Sequence, residues 1–582
     1  MIPVIVILLY LVVIASIGGA AYRRSKNNTE DFFLAGRTIG SAVFFLSLFA
    51  TNMTAFAILG SSGAAYKQGI GIYGLMASSS GLVIPLTIFF IGTRLWALGK
   101  KFGHTTQVQY FRDRWECNRI GTAIFVLTSA MLIPYMIISI IGGGQVLNDI
   151  SRTSPDAAPL IPYWLGCLIV TVVVTLNVFL GGMRGVVWVN VLQTTLFLLF
   201  GTIAVLIISG NVPGGLSNVM REIGADPVKS ALITREKMPA ELFWSYTFIP
   251  LSSIMFPHMS IMCLSARKMS AFKQTVVAYP IAIMLIWLPS VFLGVVGAQV
   301  IPGLKGTDSD GILLRMLTQY SPVWLAGLLG AGIISAVMGS DCHQVLALST
   351  MFTKDMYEHY NGGKVQSERQ KVFFARVFVL IFTAIAYVVA LQKPTGIFEL
   401  AQRFAFTGFA ALAPVMIAAL FWKRSTKWGA LASTSWVAFC LLFSWYLTAV
   451  SDEIAPKPPV PGLKPKTSMI AVAPGSPLPP GGQGVSVVAA PGETVTARVP
   501  GTPGASPNAE RPSPNVAPKK KPVTQVQIYP SLGNLFLRNA TQVTVFGYLP
   551  VVPMVFGSAL LMILVSLGTR PPSEATMRKY YG

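Results

Sequence analysis

The sequence predicts an all-α polytopic membrane protein, and three observations carry that expectation. Hydrophobic residues make up 53% of the 582-residue chain and Asp, Glu, Lys and Arg only 11%, less than half of the roughly 25% usual in a soluble globule. Thirteen apolar stretches follow one another, each meeting or approaching the ~20 residues that cross a hydrocarbon core. The basic residues collect in alternate loops. Five cysteines cannot make a disulfide framework, and a net charge of +22 in so apolar a chain reads as a topology signal rather than a nucleic-acid footprint.

The first run, Pro3 to Ala21, is followed by Arg23, Arg24 and Lys26. A secretory signal has the reverse order, so this is read as a retained span with its N-terminus outside. Further spans are expected at roughly 41–66, 70–98, 120–148, 160–180, 186–210, 241–265, 274–300, 320–352, 372–391, 396–421, 428–450 and 544–567. Alternation then puts 22–40, 95–119, 181–185, 266–273, 353–371, 422–427 and the C-terminal tail inside. With their margins these loops hold 25 of the 44 Lys and Arg; the rest of the chain before residue 451 holds 10, and 451–543 holds nine. Basic residues prefer the cytoplasmic side, so a cell (inner) membrane protein with a cytoplasmic C-terminus is expected.

The stretch 451–530 holds 18 of the 39 prolines. It reads as an external linker or lid-like insertion too poor in apolar surface to order itself, with a possible hairpin around Pro491 and Gly492. Segment 531–543 carries no assignable pattern.

A lipid-facing helix must satisfy every backbone group, so breaks inside apolar spans carry information. Span two holds Ala50, Thr51, Asn52, Met53 and Thr54 at mid-depth; span seven has Pro250 followed by Ser252 and Ser253; span nine places Gly339, Ser340, Asp341 and His343 inside the bilayer. Such polar residues face a ligand, an ion or a water path more often than lipid, although small-residue clusters also serve helix packing. Spans two and seven lie five apart, which is the mark of two inverted five-helix repeats with a site between them. The expected organisation is therefore 1–40 (extra helix and loop), 41–210 (first repeat), 211–240 (external loop), 241–421 (second repeat), 422–450 (additional helix), 451–543 (insertion) and 544–582 (last helix and tail).

At this point the chain resembles the sodium:solute symporter family, which includes sodium/proline, sodium/galactose, pantothenate and acetate carriers. The resemblance rests on "EDFFLAGR" at 30–37, "GGMRGVVWVNVLQ" at 181–193, "AVMGSDCHQVLALSTMFTKDMY" at 336–357 and "GIFELAQRFAFTGFAALAPVMIAALFWKR" at 396–424. It implies the five-plus-five fold with one helix before and two after, and cation-coupled symport of a small polar organic solute by alternating access. Sodium is the expected co-transported ion, with a proton-coupled or weakly coupled solute carrier of the same fold as the alternative. No other cofactor, no enzymatic activity, and a lipid bilayer as the surroundings of a functional monomer are implied.

Carried over residue by residue, the family's sodium site takes the carbonyls of Ala50 and Met53, the carbonyl of Ala336, and the side chains of two hydroxyl residues at Gly339 and Ser340. Gly339 has no hydroxyl, so one oxygen of about five is missing, and a hard cation wants oxygens. Asp341 could substitute only with local distortion, because consecutive helical residues point about 100° apart. The family's Asp in the second motif is Asn190 here, with Trp188 and Gln193 retained, so Asn190 and Asp341 are ion-path candidates. Substrate-cleft candidates are Asn52, Thr54, Ala57, Ser252, Ser253 and His258. Ala57 stands where sugar carriers place a Gln, and Met262 where other branches place an Arg, which disfavours sugars and a guanidinium clamp on a carboxylate. His104 is expected at the cytoplasmic surface. A channel or a sensor scaffold is the competing class; the four histidines show no HExxH pattern.

Overall fold

The computed structural model describes residues 2–24, 28–152, 157–361, 367–392, 397, 401–454, 486–489, 493–496, 525–539 and 542–581. The principal helices are α1 (Ile2–Arg23), α2 (Ser41–Asn52), α3 (Phe56–Gln68), α4 (Gly71–Phe102), α5 (Gln107–Arg114), α6 (Asn118–Ile150), α7 (Tyr163–Asn211), α8 (Ala240–Met255), α9 (Pro257–Leu264), α10 (Ser270–Val300), α11 (Val323–Tyr360), α12 (Glu368–Ala390), α13 (Thr407–Phe421), α14 (Lys427–Ser451), α15 (Val551–Gly568) and α16 (Glu574–Tyr581).

Among the described residues nine helices are long and apolar enough to cross a membrane, and eleven if the bent pairs α2/α3 and α8/α9 each count as one span. The expected thirteen is thus not reached by length and apolarity. The difference lies in two places. Helix α7 runs 49 residues, far longer than one crossing, and is interrupted at Gly182, where φ is 50° and ψ is −149°. A Cβ on Gly185 would lie 3.3 Å from the Asn177 carbonyl eight residues back, a proximity no straight helix allows, so the chain reverses there and α7 makes two passes. Only glycine adopts that backbone without strain. The second place is α13, a shorter apolar helix; residues 398–400, at the start of the expected span 396–421, lie outside the described residues.

Helix α11 is the centre of the bundle. Every residue from Leu329 to Met351 is buried, and it packs on α1, α6, α7 and α12. A helix apolar all round must sit inside other helices. By contrast α1, α12, α14 and α15 are buried on one side and present residues such as Val12, Phe373, Leu442 and Leu560 outward, as lipid-facing helices do.

Segment 531–543 contributes to a small antiparallel sheet of three strands, Gln525–Gln527, Phe536–Asn539 and Val543–Val545, with Phe536–Asn539 in the middle. Val543 and Ile528 pack on Leu447 at the end of α14, and Arg538 pairs with Asp452 at 2.6 Å. Residues 458–524 form a separate unit of the chain. Its described residues are the strand pair Ser486–Ala489 and Glu493–Thr496, antiparallel with Ala489 opposite Glu493, which is the hairpin expected there. The rest of the proline-rich stretch, 455–485 and 497–524 included, lies outside the described residues.

Candidate functional site

Span two breaks where expected, but span seven does not bend at Pro250 to Ser253: Pro250 is accommodated in the helical turn Ile249–Leu251, and the bend falls at Phe256 and Pro257. Helix α2 ends at Asn52, Met53 turns extended (φ −93°, ψ 117°), and α3 departs at 61°. Helix α8 ends at Met255, Phe256 is extended (φ −62°, ψ 120°), Pro257 starts α9, and the bend is 50°. Proline cannot donate to the preceding turn, so carbonyls before it lose their helical partner. The carbonyl of Met255 is instead met by the Gln107 Nε2 at 2.9 Å, while the Gln107 Oε1 accepts from the Ser260 hydroxyl at 2.8 Å.

The first break lies directly against α11. A Cβ on Gly339 would sit 3.4 Å from the Ala50 Cβ, 3.4 Å from the Gln193 Oε1 and 3.7 Å from the Ala50 carbonyl oxygen. Ala50, Met53, Ala336 and Ser340 are all buried. Ala336, Gly339 and Ser340 fall on one face of α11, three and four residues apart. Among the described residues the buried Ser340 hydroxyl has no hydrogen-bond partner, and the buried Gln193 amide lies beside the Tyr10 hydroxyl without a well-formed hydrogen bond. Buried polar atoms are nearly always satisfied, which sets these groups, beside the Ala50 carbonyl, apart from the packed remainder of the helix. Gln193 was visible in sequence only as part of a motif; its three-residue offset from Asn190 was the signal that both share a face of α7.

Asp341 is different. Helix α11 has no irregular backbone here, so Asp341 stands about 200° around the axis from Gly339, away from Ala50. It shares a face with Val337, which meets Gly142 of α6. Asn190 does not face an open path either. Its Nδ2 lies 2.8 Å from the His343 Nδ1, leaving the Asn190 Oδ1 and His343 Nε2 buried and unpartnered.

Of the cleft candidates, Asn52 donates to the Tyr279 hydroxyl at 2.6 Å, and the Thr54 hydroxyl accepts from the Phe56 amide at 3.2 Å. Ala57 and Ser252 are buried. Ser253 pairs with Thr87 of α4 at 3.0 Å, a packing contact. His258 stacks on Phe256 with ring centroids 5.0 Å apart and lies 5.7 Å from Tyr135. Phe406 touches Phe56, Tyr135 and Phe256 at 4.9, 5.3 and 5.9 Å. An aromatic cluster thus joins the two breaks, and the sequence reading of polar residues alone missed it.

On the side where α5 lies, His104 corrects an expectation: it is 7% exposed, not a surface residue. Its Nε2 meets the Asp113 Oδ2 at 3.1 Å, because α16 folds over it. Lys579 pairs with Asp113 at 2.6 Å, the Tyr580 hydroxyl donates to the same carboxylate at 2.5 Å, and the Tyr581 hydroxyl donates to the Ala419 carbonyl at 2.9 Å. Burial pushes the His104 imidazole below its ordinary pKa despite the Asp113 carboxylate. Burial would raise Asp113, but the hydrogen bonds from Lys579 and Tyr580 outweigh it and hold the carboxyl below its usual range. Helix α5 is fixed in turn by Thr106, whose hydroxyl donates to the Asp355 Oδ1 at 2.9 Å, and by Arg112, which donates to the Asp355 carbonyl at 3.1 Å.

Comparison with known proteins agrees with this architecture. The model of the sodium:solute symporter family matches residues 32–436. The sodium/pantothenate symporter of Escherichia coli is 26% identical over 442 residues, covering 73% of this chain and 86% of that protein. The high-affinity proline transporter of Bacillus subtilis is 27% identical over 465 residues, covering 75% and 90%. Among solved structures, a Na+-coupled sialic acid symporter in a substrate-bound outward-open state superposes with a TM-score of 0.63 at 16% identity, covering 77% of this chain and 92% of that one; at that identity it shows the shared inverted-repeat fold. The relatives are transporters rather than enzymes. The protein belongs to the sodium:solute symporter family, a multi-pass membrane carrier that moves a small solute together with a cation.

Proposed function

We propose that the co-transported ion is sodium, bound by the carbonyls of Ala50, Met53 and Ala336 and the hydroxyl of Ser340, with the Gln193 amide oxygen standing where Gly339 leaves an oxygen short. The observation that carries this reading is the approach of the Gln193 Oε1 to the Gly339 face beside the Ala50 carbonyl. An oxygen ligand from a neighbouring helix suits a hard cation. The solute is a small polar organic molecule held between the two breaks, with Asn52, Thr54, Ala57 and His258 on its walls and the aromatic cluster of Tyr135, Phe256 and Phe406 as its apolar floor. Ser252 belongs to the same wall. The relatives named above for proline and pantothenate support a solute of that size. A thermal-shift screen of the purified protein against a mixed metabolite library, with and without sodium, tests it: a hit whose affinity rises with sodium and changes in A57Q or N52A supports the site, and a hit altered only by changes outside this cleft contradicts it.

The second reading is proton coupling. It is favoured by two buried imidazoles near the site, His258 and His343, while Asn190, in place of the family motif's carboxylate, lessens the attraction for a sodium ion leaving inward. Uptake that follows a proton gradient and is indifferent to sodium would select it.

The alternation of basic loops supports an N-terminus outside, a cytoplasmic C-terminus and a 451–543 insertion outside the inner membrane of a cell with two membranes. Cysteines introduced at Ser476 and Thr502 then react with an impermeant thiol reagent in spheroplasts. Reaction only after the membrane is opened overturns this orientation. The bundle holds its site within one chain, which suits a functional monomer.

A further inference from the structure

Between α6 and α14 runs a crevice of about 880 Å³. Its lining on α6 extends from Asn118 to Pro134, about 24 Å at 1.5 Å per residue, which is most of the ~30 Å hydrocarbon thickness. Along that length the walls include Val126, Ala130, Ala438 and Leu442. Val126 and Leu442 are 57% and 69% exposed, so the crevice opens toward the bilayer rather than into the bundle. Thr407 and Thr434 also line it, but their hydroxyls are spent on the Gln402 and Ala430 carbonyls at 2.7 and 2.8 Å. What they leave facing the crevice is apolar.

One end differs. There the rim is Asn118, Arg119 and the hydroxyl pair of Thr122 and Tyr360, 2.6 Å apart. Arg119 is exposed and makes no ion pair or hydrogen bond with any described residue. A guanidinium without a carboxylate, above an apolar slot as long as a bilayer leaflet or more, has the polarity profile of one ligand class. Basic positions beside gaps between transmembrane helices take anionic lipid headgroups, and guanidinium matches phosphate geometry.

We propose that this crevice binds one anionic diacyl phospholipid, with its phosphate on Arg119 and an acyl chain along Val126, Ala130 and Leu442. The site is separate from the two helix breaks, so it stands or falls independently of the ion and solute assigned there.

The test is native mass spectrometry of the full-length protein in detergent, titrated with phosphatidylglycerol or with phosphatidylcholine of identical chains. The expected result is one phosphatidylglycerol retained in preference to phosphatidylcholine. R119Q, a surface change that leaves the fold intact, should weaken phosphatidylglycerol retention about fivefold and weaken phosphatidylcholine retention less, because the choline cation already neutralises that phosphate. R267Q, which removes an exposed charge between α9 and α10, should change neither. A438W, which fills the crevice, should reduce retention of both lipids. Equal retention of the two lipids by the unaltered protein, or R119Q binding as tightly as the unaltered protein, would mean non-specific surrounding lipid and overturn the proposal.

Discussion

Gly339 of α11 faces Gln193 of α7 across the first helix break: a Cβ at position 339 would lie 3.4 Å from the Gln193 Oε1 and 3.4 Å from the Ala50 Cβ. That is ordinary contact for a Cβ, so the first side-chain atom at this position displaces no neighbour. G339S is therefore expected to fold and to add a hydroxyl to the cation site. Apparent sodium affinity, read from sodium-dependent thermal stabilisation, should rise. A fall, or no change, would mean that the Gly339 face does not meet the ion.

Ser340 offers the converse change. Its buried hydroxyl has no protein partner, so S340A should leave stability nearly untouched while sodium affinity falls. A lost hydrogen bond or coordinating oxygen at a charge costs about 1.5–3 kcal/mol, a factor of about 10–150. Q193L should act in the same direction. Variants that lose stability without losing sodium dependence would assign these side chains to packing.

The Gln107 amide closes the backbone gap at Met255 and holds Ser260. Q107A leaves a buried carbonyl unsatisfied, at about 1–3 kcal/mol. Backbone amides of α9 are expected to exchange with deuterium faster in this variant while those of α12 do not change. Uniform acceleration across the molecule would indicate general unfolding instead of a local clamp.

His104 and Asp113 make the docking of α16 sensitive to acid. Both have folded pKa values below their ordinary ones, so the undocked state binds more protons and acid favours it. The stability each contributes is present above its ordinary pKa, ~6.5 for His and ~3.9 for Asp, and is lost as pH falls through the folded value. Lys579, Arg37, Arg114, Tyr110 and Tyr580 surround the pair. Residues 574–581 should therefore exchange faster at pH 5.5 than at pH 7.5. H104N should remove most of that difference, and an unchanged pH profile in H104N would place its origin elsewhere.

Gly182 turns α7 back on itself at positive φ, and a Cβ there would meet the Phe32 ring at 2.7 Å and the Phe32 carbonyl at 2.8 Å. G182A combines backbone strain with overpacking, each of order 1–3 kcal/mol. The purified variant should unfold at a clearly lower temperature; an unchanged midpoint would mean that this turn relaxes freely.

What could be read in advance follows from the range of the interactions involved. The break at Met53 and the reversal at Gly182 announce themselves locally, because glycine and hydroxyl residues act on their own backbone; in span seven two prolines compete, and the bend falls at Pro257 while Pro250 is taken into a short helical turn. The approach of Ala50 to Gly339 came through a family resemblance, since nothing local joins residues so far apart in the chain. The Asn190–His343 and Asn52–Tyr279 pairs, 153 and 227 residues apart, had no such guide. Nor did the burial of His104, which depends on a C-terminal helix folding over a loop. The pairing of Ser253 with Thr87, 166 residues apart, had no local signal either.

The central claim, a sodium site at Ala50, Ser340 and Gln193, is tested most directly by equilibrium binding of radioactive sodium to the purified protein, with lithium and choline as competitors and no solute present. Saturable binding that weakens in S340A and tightens in G339S is the predicted result. Absence of saturable sodium binding, or identical binding in all three proteins, would contradict it.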